Sequence, residues 1–139
     1  MNSELLITAI CLLIMLALIG VFARYVVGRS KPLDNEYFAD RWQEAQALCK
    51  NKETWPLAII NADKLLDEAL KKSRFRGKTM GERLVAAQRS LSDNDSAWFG
   101  HKLRNKLVHE QNISLRQTDV RNALKGIRQA LRDLGALKK

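Results

Sequence analysis

From Leu5 to Ala23 the chain runs nineteen residues without a charge and almost without a polar side chain. At about 1.5 Å per helical residue, that run matches the roughly 30 Å hydrocarbon core of a bilayer. Beyond it the apolar positions recur on a helical period, and no strand-like alternation survives after residue 30. The spacing predicts a helix over 34–51 with Phe38, Trp42, Ala45 and Cys49 on its inner side. Pro56, suited to a first turn, opens a second helix to about Arg74 that buries Ile59, Ala62, Leu66, Ala69 and Leu70. After the break Phe75-Arg76-Gly77-Lys78 comes a short helix over 79–91, with Met80, Leu84 and Ala87 inward. The capping residues Ser92-Asp93-Asn94-Asp95 feed a fourth helix to about Gln111. A last helix starts between Ser114 and Thr118, either of which is a plausible cap. It carries Val120, Leu124, Ile127, Leu131 and Leu134, and Gly135 ends it. The expectation is an all-α chain: one N-terminal transmembrane helix, then a bundle of four to five helices. Residues 1–30 would be the anchor with its juxtamembrane segment, and 31–139 the bundle.

Charge adds direction. The chain carries +9, and residues 1–30 contribute +1 through Glu4, Arg24 and Arg29, which leaves +8 on the bundle. Such an excess favours anionic partners, whether nucleic acid or a membrane surface. The start, Met1-Asn2-Ser3-Glu4, is acidic, and the apolar run is long for a signal peptide, which favours a retained anchor over residues 5–27. Arg24, Arg29 and Lys31 flank its far side. The positive-inside bias therefore predicts a single-pass protein of the cell membrane with its C-terminal domain in the cytoplasm. Cys11 and Cys49, one in the apolar run and one on a soluble helix, offer no disulfide framework and fit a reducing compartment.

The fourth helix carries the chemistry. At about 100° per residue, Phe99, Leu103 and Leu107 fall on one side and are expected to face the core. His101, Asn105 and His109 fall on the roughly opposite side, with Arg104 in reach and Lys102 and Lys106 bordering them. The chain's two histidines are both here. A guanidinium can grip a phosphate through two hydrogen bonds, and an imidazole can move a proton at a ribose oxygen near neutral pH. The set suits metal-free cleavage of RNA, in which the 2′-hydroxyl attacks the adjacent phosphorus. Arg104 would steady the charge on the phosphoryl oxygens, His109 would serve as acid or base, and Asn105 would orient either one. His101, Lys102 and Lys106 would hold phosphates. One copy supplies few groups, so two helices face to face would complete the cleft. The same spacing also describes an ordinary polar helix face, with Lys106 and Glu110 as a four-spaced pair.

Other chemistries find little footing. Gly77 and Gly81 are isolated and make no phosphate loop, no paired cysteines suit zinc, and no serine has a histidine placed for acyl transfer. No cofactor or metal is expected, although His101 and His109 could share an ion across a dimer.

The segment His101-Lys102-Leu103-Arg104-Asn105-Lys106-Leu107-Val108-His109-Glu110 follows Ala97-Trp98-Phe99 and precedes a helix ending Ala130-Leu131-Arg132-Asp133-Leu134-Gly135-Ala136-Leu137. Over roughly residues 34–137 it resembles the HEPN superfamily. That family's signature is an arginine, usually followed by a polar residue, with a histidine four to six positions further on. Arg104, Asn105 and His109 match it with four residues between arginine and histidine. The resemblance implies a four- or five-helix bundle that homodimerises through the helix bearing Arg104 and His109. It implies metal-independent ribonuclease activity in many members. Other members bind RNA or nucleotides without cutting, or assemble with a nucleotidyltransferase-type protein partner. The N-terminal span departs from the commonest soluble arrangement of the family and leaves a toxin role in doubt.

Overall fold

The computed structural model describes residues 2–27 and 31–138. Among them are six α-helices and no strand. The chain divides into two compact units, Met1–Ser30 and Lys31–Lys139.

The first unit is helix α1, Ser3–Val27. Over Ser3–Tyr25 its mean hydropathy is 3.0 and none of it is buried, so it is long and apolar enough to cross a membrane. Apolar residues surround it on every side, Leu13 and Phe22 both standing about two-thirds exposed. A helix of this kind has no stripe to turn towards a core, and a lipid environment suits it. Arg24 closes its last turn. Arg29, expected in the same basic flank, lies outside the described residues.

The second unit is an all-α bundle of α2 (Asn35–Ala47), α3 (Trp55–Lys72), α4 (Met80–Ala87), α5 (Asn94–His109) and α6 (Gln117–Asp133). Asp34 caps α2 by accepting from the Glu36 and Tyr37 amides, as Thr79 caps α4 and Asp93 caps α5. The helix predicted over 34–51 stops early, at Ala47, and two short 3-10 turns, Leu48–Lys50 and Lys52–Thr54, lead into α3. Side chains hold this bend: Thr54 donates to the Leu48 carbonyl, and the Trp55 indole donates to the Cys49 carbonyl at 3.0 Å. Neither Ser114 nor Thr118 caps α6, which starts after an extended Arg116. The α5 helix ends at His109 rather than Gln111, because Glu110 is extended and Asn112 has φ 61°. Past α6, Gly135 at φ 77° lets the Ala136 amide donate to the Leu131 carbonyl at 2.8 Å and the Gly135 amide to Arg132. That pair of hydrogen bonds is a Schellman stop.

The predicted inner residues of α2, α3 and α4 are buried apart from Cys49, which is partly so, and Val120, Ile127 and Leu131 are buried on α6. Phe38, Leu66, Leu70, Leu84, Ile127 and Leu131 anchor one continuous core, and Ile59, Leu115 and Val120 form a smaller one under the α5–α6 loop. Helices α5 and α6 pack as an antiparallel pair at very close range. A Cβ built on Gly126 would lie 2.2 Å from the Ser96 carbonyl oxygen, and one on Gly100 would lie 3.1 Å from that of Ala123. Backbone therefore meets backbone at this crossing. Two polar clasps complete the bundle. The Ser92 amide and hydroxyl both donate to Asp133 at 2.7 Å, and the Asn35 carboxamide donates to the Gly135 and Ala136 carbonyls.

Alanine is the better helix former by about 1 kcal/mol, so at an uncrowded site Gly126→Ala would stabilise the protein. Here the new methyl meets rigid backbone, and the variant should instead lose about 2 kcal/mol in chemical denaturation. Gly100→Ala, facing mainly the flexible end of Ile127, should lose less. An unchanged or raised stability of Gly126→Ala would contradict this packing.

Candidate functional site

The rotation of α5 differs from the expectation. Its inward side runs through Ala97, Gly100 and His101, with Leu103 and Leu107 half-buried, while Phe99 stands 40% exposed. The glycine crossing explains the difference: small residues let α6 lie against this side, so the bulky Phe99 is not what fills it. His101 is consequently not on a free polar face. It is only 8% exposed and packs edge-on against Trp98, with ring centroids 5.9 Å apart.

What draws His101 inward is Asp63, a residue absent from the sequence-derived site. Asp63 lies in the apolar stripe of α3, between Ala62 and Leu66, and is 2% exposed. A carboxylate so placed needs partners. It finds the His101 Nδ1 at 3.1 Å and the Arg104 Nε at 3.6 Å. Arg104 also donates from Nη1 to the Asn105 Oδ1 at 3.1 Å, and the Asn105 Nδ2 lies 3.3 Å from the His101 Nε2.

The direction of this ring of contacts follows from its one obligate donor. Arginine can only donate, so the atom of Asn105 facing it is the carbonyl oxygen. The amide nitrogen then faces His101 and donates to Nε2. That ring nitrogen must be an acceptor, so the proton sits on Nδ1 and is donated to Asp63. With a proton on His101 Nδ1, every hydrogen bond in the ring has one consistent sense.

These groups form the floor of an open cleft of about 850 Å³ between α3, α4 and α5. Lys64, Lys71, Lys78 and Lys102 line it, and the Lys102 Nζ lies 6.0 Å from the Trp98 ring. The far wall is tied to α3 by the buried Arg83, which bonds Asp67 through Nε at 2.8 Å and Nη2 at 2.7 Å and the Gly77 carbonyl at 2.7 Å. Burial pushes the Asp67 carboxyl up, but Lys71 and Arg83 outweigh it and hold the group below the usual carboxylate range.

Of the residues expected to act together, the structure gathers Arg104, Asn105, His101 and Lys102 on this cleft. Lys106 and His109 do not line it. His109 is exposed in the last turn of α5, without a hydrogen bond among the described residues. Five residues from Arg104, it points about 140° away around the helix axis. The expected convergence of Arg104 and His109 on one face of one protomer is therefore corrected: they address different sides. The guanidinium, a third exposed, keeps donors for an incoming anion. Among the described residues no cluster of three or more histidines, cysteines and carboxylates stands ready for a metal. The signal for Asp63 was there to read, since it stands four residues after Ile59 on the buried period of α3.

Two outcomes test this arrangement. Asp63→Ala should cost about 3 kcal/mol by leaving the His101 donor and Arg104 without their acceptor, whereas Asp63→Asn, which keeps an acceptor, should cost roughly 1 kcal/mol. Equal stability of the alanine variant and the parent in urea titrations would contradict the relay. Because folding lowers the Asp67 affinity for protons, its contribution is complete above about pH 4 and is lost as pH falls through the depressed value. The melting temperature of the parent should therefore fall more steeply below about pH 4 than that of Asp67→Asn.

No protein-family model matches the chain, and neither the curated proteins nor the solved structures contain a match to it.

Proposed function

We propose that the bundle is a HEPN-type module that acts on RNA as a homodimer paired through α5, cutting the chain without a metal ion at the membrane. One observation carries this reading: a buried carboxylate and a carboxamide hold Arg104 at the floor of a lysine-lined cleft while its remaining N–H groups stay open. A fixed, partly desolvated guanidinium is suited to a phosphodiester, whose charge grows on the non-bridging oxygens as the reaction proceeds. The cleft is rich enough in lysine to draw the backbone in.

Within one protomer Arg104 and His109 face apart, which is why the proposal needs a pair. Antiparallel apposition of two α5 helices would set Arg104 of one copy beside the partner's His109. The half-exposed Phe99 and the exposed Val108 give α5 apolar surface to cover in such a pair. His109, exposed and unbonded, would take the proton of the 2′-hydroxyl as the oxygen–phosphorus bond forms, or give one to the 5′-oxygen as its bond to phosphorus breaks. The products would be a 2′,3′-cyclic phosphate and a 5′-hydroxyl. Helix α1 would tether the dimer, with Arg24 and Lys31 favouring a cytoplasmic bundle.

A second reading has its own support. His101 is buried, and Arg104 already serves Asp63 and Asn105, so the floor of the cleft is satisfied within one copy. A module that binds RNA, a nucleotide or a nucleotidyltransferase-type partner without cutting would need no more.

The full chain in neutral detergent separates the two. Cleavage of a single-stranded RNA in excess EDTA should leave cyclic-phosphate ends, and His109→Ala should slow it by about 10²–10⁴-fold with helicity unchanged. Salt-sensitive binding that Arg104→Ala weakens, without any cleavage by the parent, establishes the non-catalytic reading instead. Cleavage that His109→Ala leaves intact, or that EDTA stops, rules out the proposed chemistry.

A further inference from the structure

A second recess lies between α2 and α6 and shares no residue with the cleft on α5. Its volume is about 490 Å³, within the range of small-molecule sites. One wall is a row of cations on α6: Arg121, Lys125, Arg128 and Arg132. Their spacing of four, three and four residues places them within about 60° of one another around the helix, over roughly 16 Å of its length. Among the described residues no carboxylate lines this recess. None of the four cations forms an ion pair within 4.0 Å among the described residues, and the negative charge that Lys125 feels comes from Asp93 at the neighbouring helix start. Glu36 stands only in the adjoining hollow, which shares Trp42, Arg128 and Arg132.

The floor is aromatic. Trp55 is fixed by its bond to the Cys49 carbonyl, and Trp42 is 4% exposed. The Trp42 Nε1 and the Arg132 Nε are both buried donors with no acceptor among the described residues. An orphaned buried donor is costly, and the two side chains that carry these atoms line both this recess and the adjoining hollow. Both lack an acceptor, and the cations beside them have no ion-pair partner within 4.0 Å among the described residues.

We infer that the α2–α6 recess binds a small organic phosphate, its ring or apolar body against Trp42 and Trp55 and its phosphate oxygens on the α6 cations. The small volume of the recess and the burial of Trp42 favour a compact ligand over an RNA strand, which stacks its bases on exposed rings. A lipid surface would need exposed apolar anchors, and the indoles here are recessed.

The chain's three tryptophans make the test direct. Trp42 and Trp55 line this recess and Trp98 lines the α5 cleft, so the three indole N–H resonances report separately on the two places. With the full chain in neutral detergent, AMP, UMP or pyrophosphate should move the Trp42 signal saturably below about 5 mM, with Trp98 unmoved and adenosine far weaker. Arg121→Gln with Arg128→Gln, both exposed and outside the core, should weaken the effect by about tenfold or more. The inference is overturned if none of the three phosphates moves Trp42, or if the double variant responds as the parent does. It is equally overturned if only a single-stranded oligonucleotide or vesicles of anionic lipid elicit the shift. Loss of RNA cleavage leaves this result untouched, because the readout is confined to the recess.

Discussion

A carboxylate set into an oily helix face has few ways to remain there, and Asp63 takes one of the most demanding. It recruits a histidine and an arginine from the helix packed against it, and each of those is committed in turn to Asn105. Apolar contacts are non-directional and fix the rotation of α5 less sharply than hydrogen bonds do. The relay holds it more closely, since every member has a fixed role as donor or acceptor. The orientation of α5, and with it the direction in which Arg104 and His109 point, follows from one acidic side chain on α3.

The glycine crossing works alongside that constraint. With Gly126 against the Ser96 carbonyl, α6 holds α5 from behind while Asp63 draws it from the front. At Gly126 the contact is stiff, because the backbone of Ser96 rather than a flexible side chain faces it. Most residues that line the two recesses stand on helices of the bundle, and the recesses share no lining residue.

Much of this was legible in the chain. The membrane-length helix follows from an unbroken apolar run, and the five bundle helices with the inner residues of α2, α3 and α6 follow from apolar spacing, because a 3.6-residue period survives wherever large side chains mark the buried side. On α5 that signal failed. Its inner side is built from Ala97, Gly100 and His101, which add little hydrophobicity, so Phe99 passed for the core residue. Asp63 did stand on the buried period of α3, four residues after Ile59, but its partners lie on another helix that no spacing within α3 names. The α2 boundary moved because Thr54 and Trp55 capture carbonyls from a distance in sequence that no periodicity encodes.

The contact of Gly126 with Ser96 also limits how such a chain can drift. Any larger side chain at position 126 would meet the Ser96 backbone, so substitution there carries a cost even though nothing about the position is chemical. A six-residue motif on one helix arises by accident too readily to identify kin. An acid at 63, glycines at 100 and 126 and the triplet His101, Arg104 and Asn105 form a far rarer constellation, scattered over three helices, and distant homologues are better sought by that scattered pattern than by any contiguous stretch.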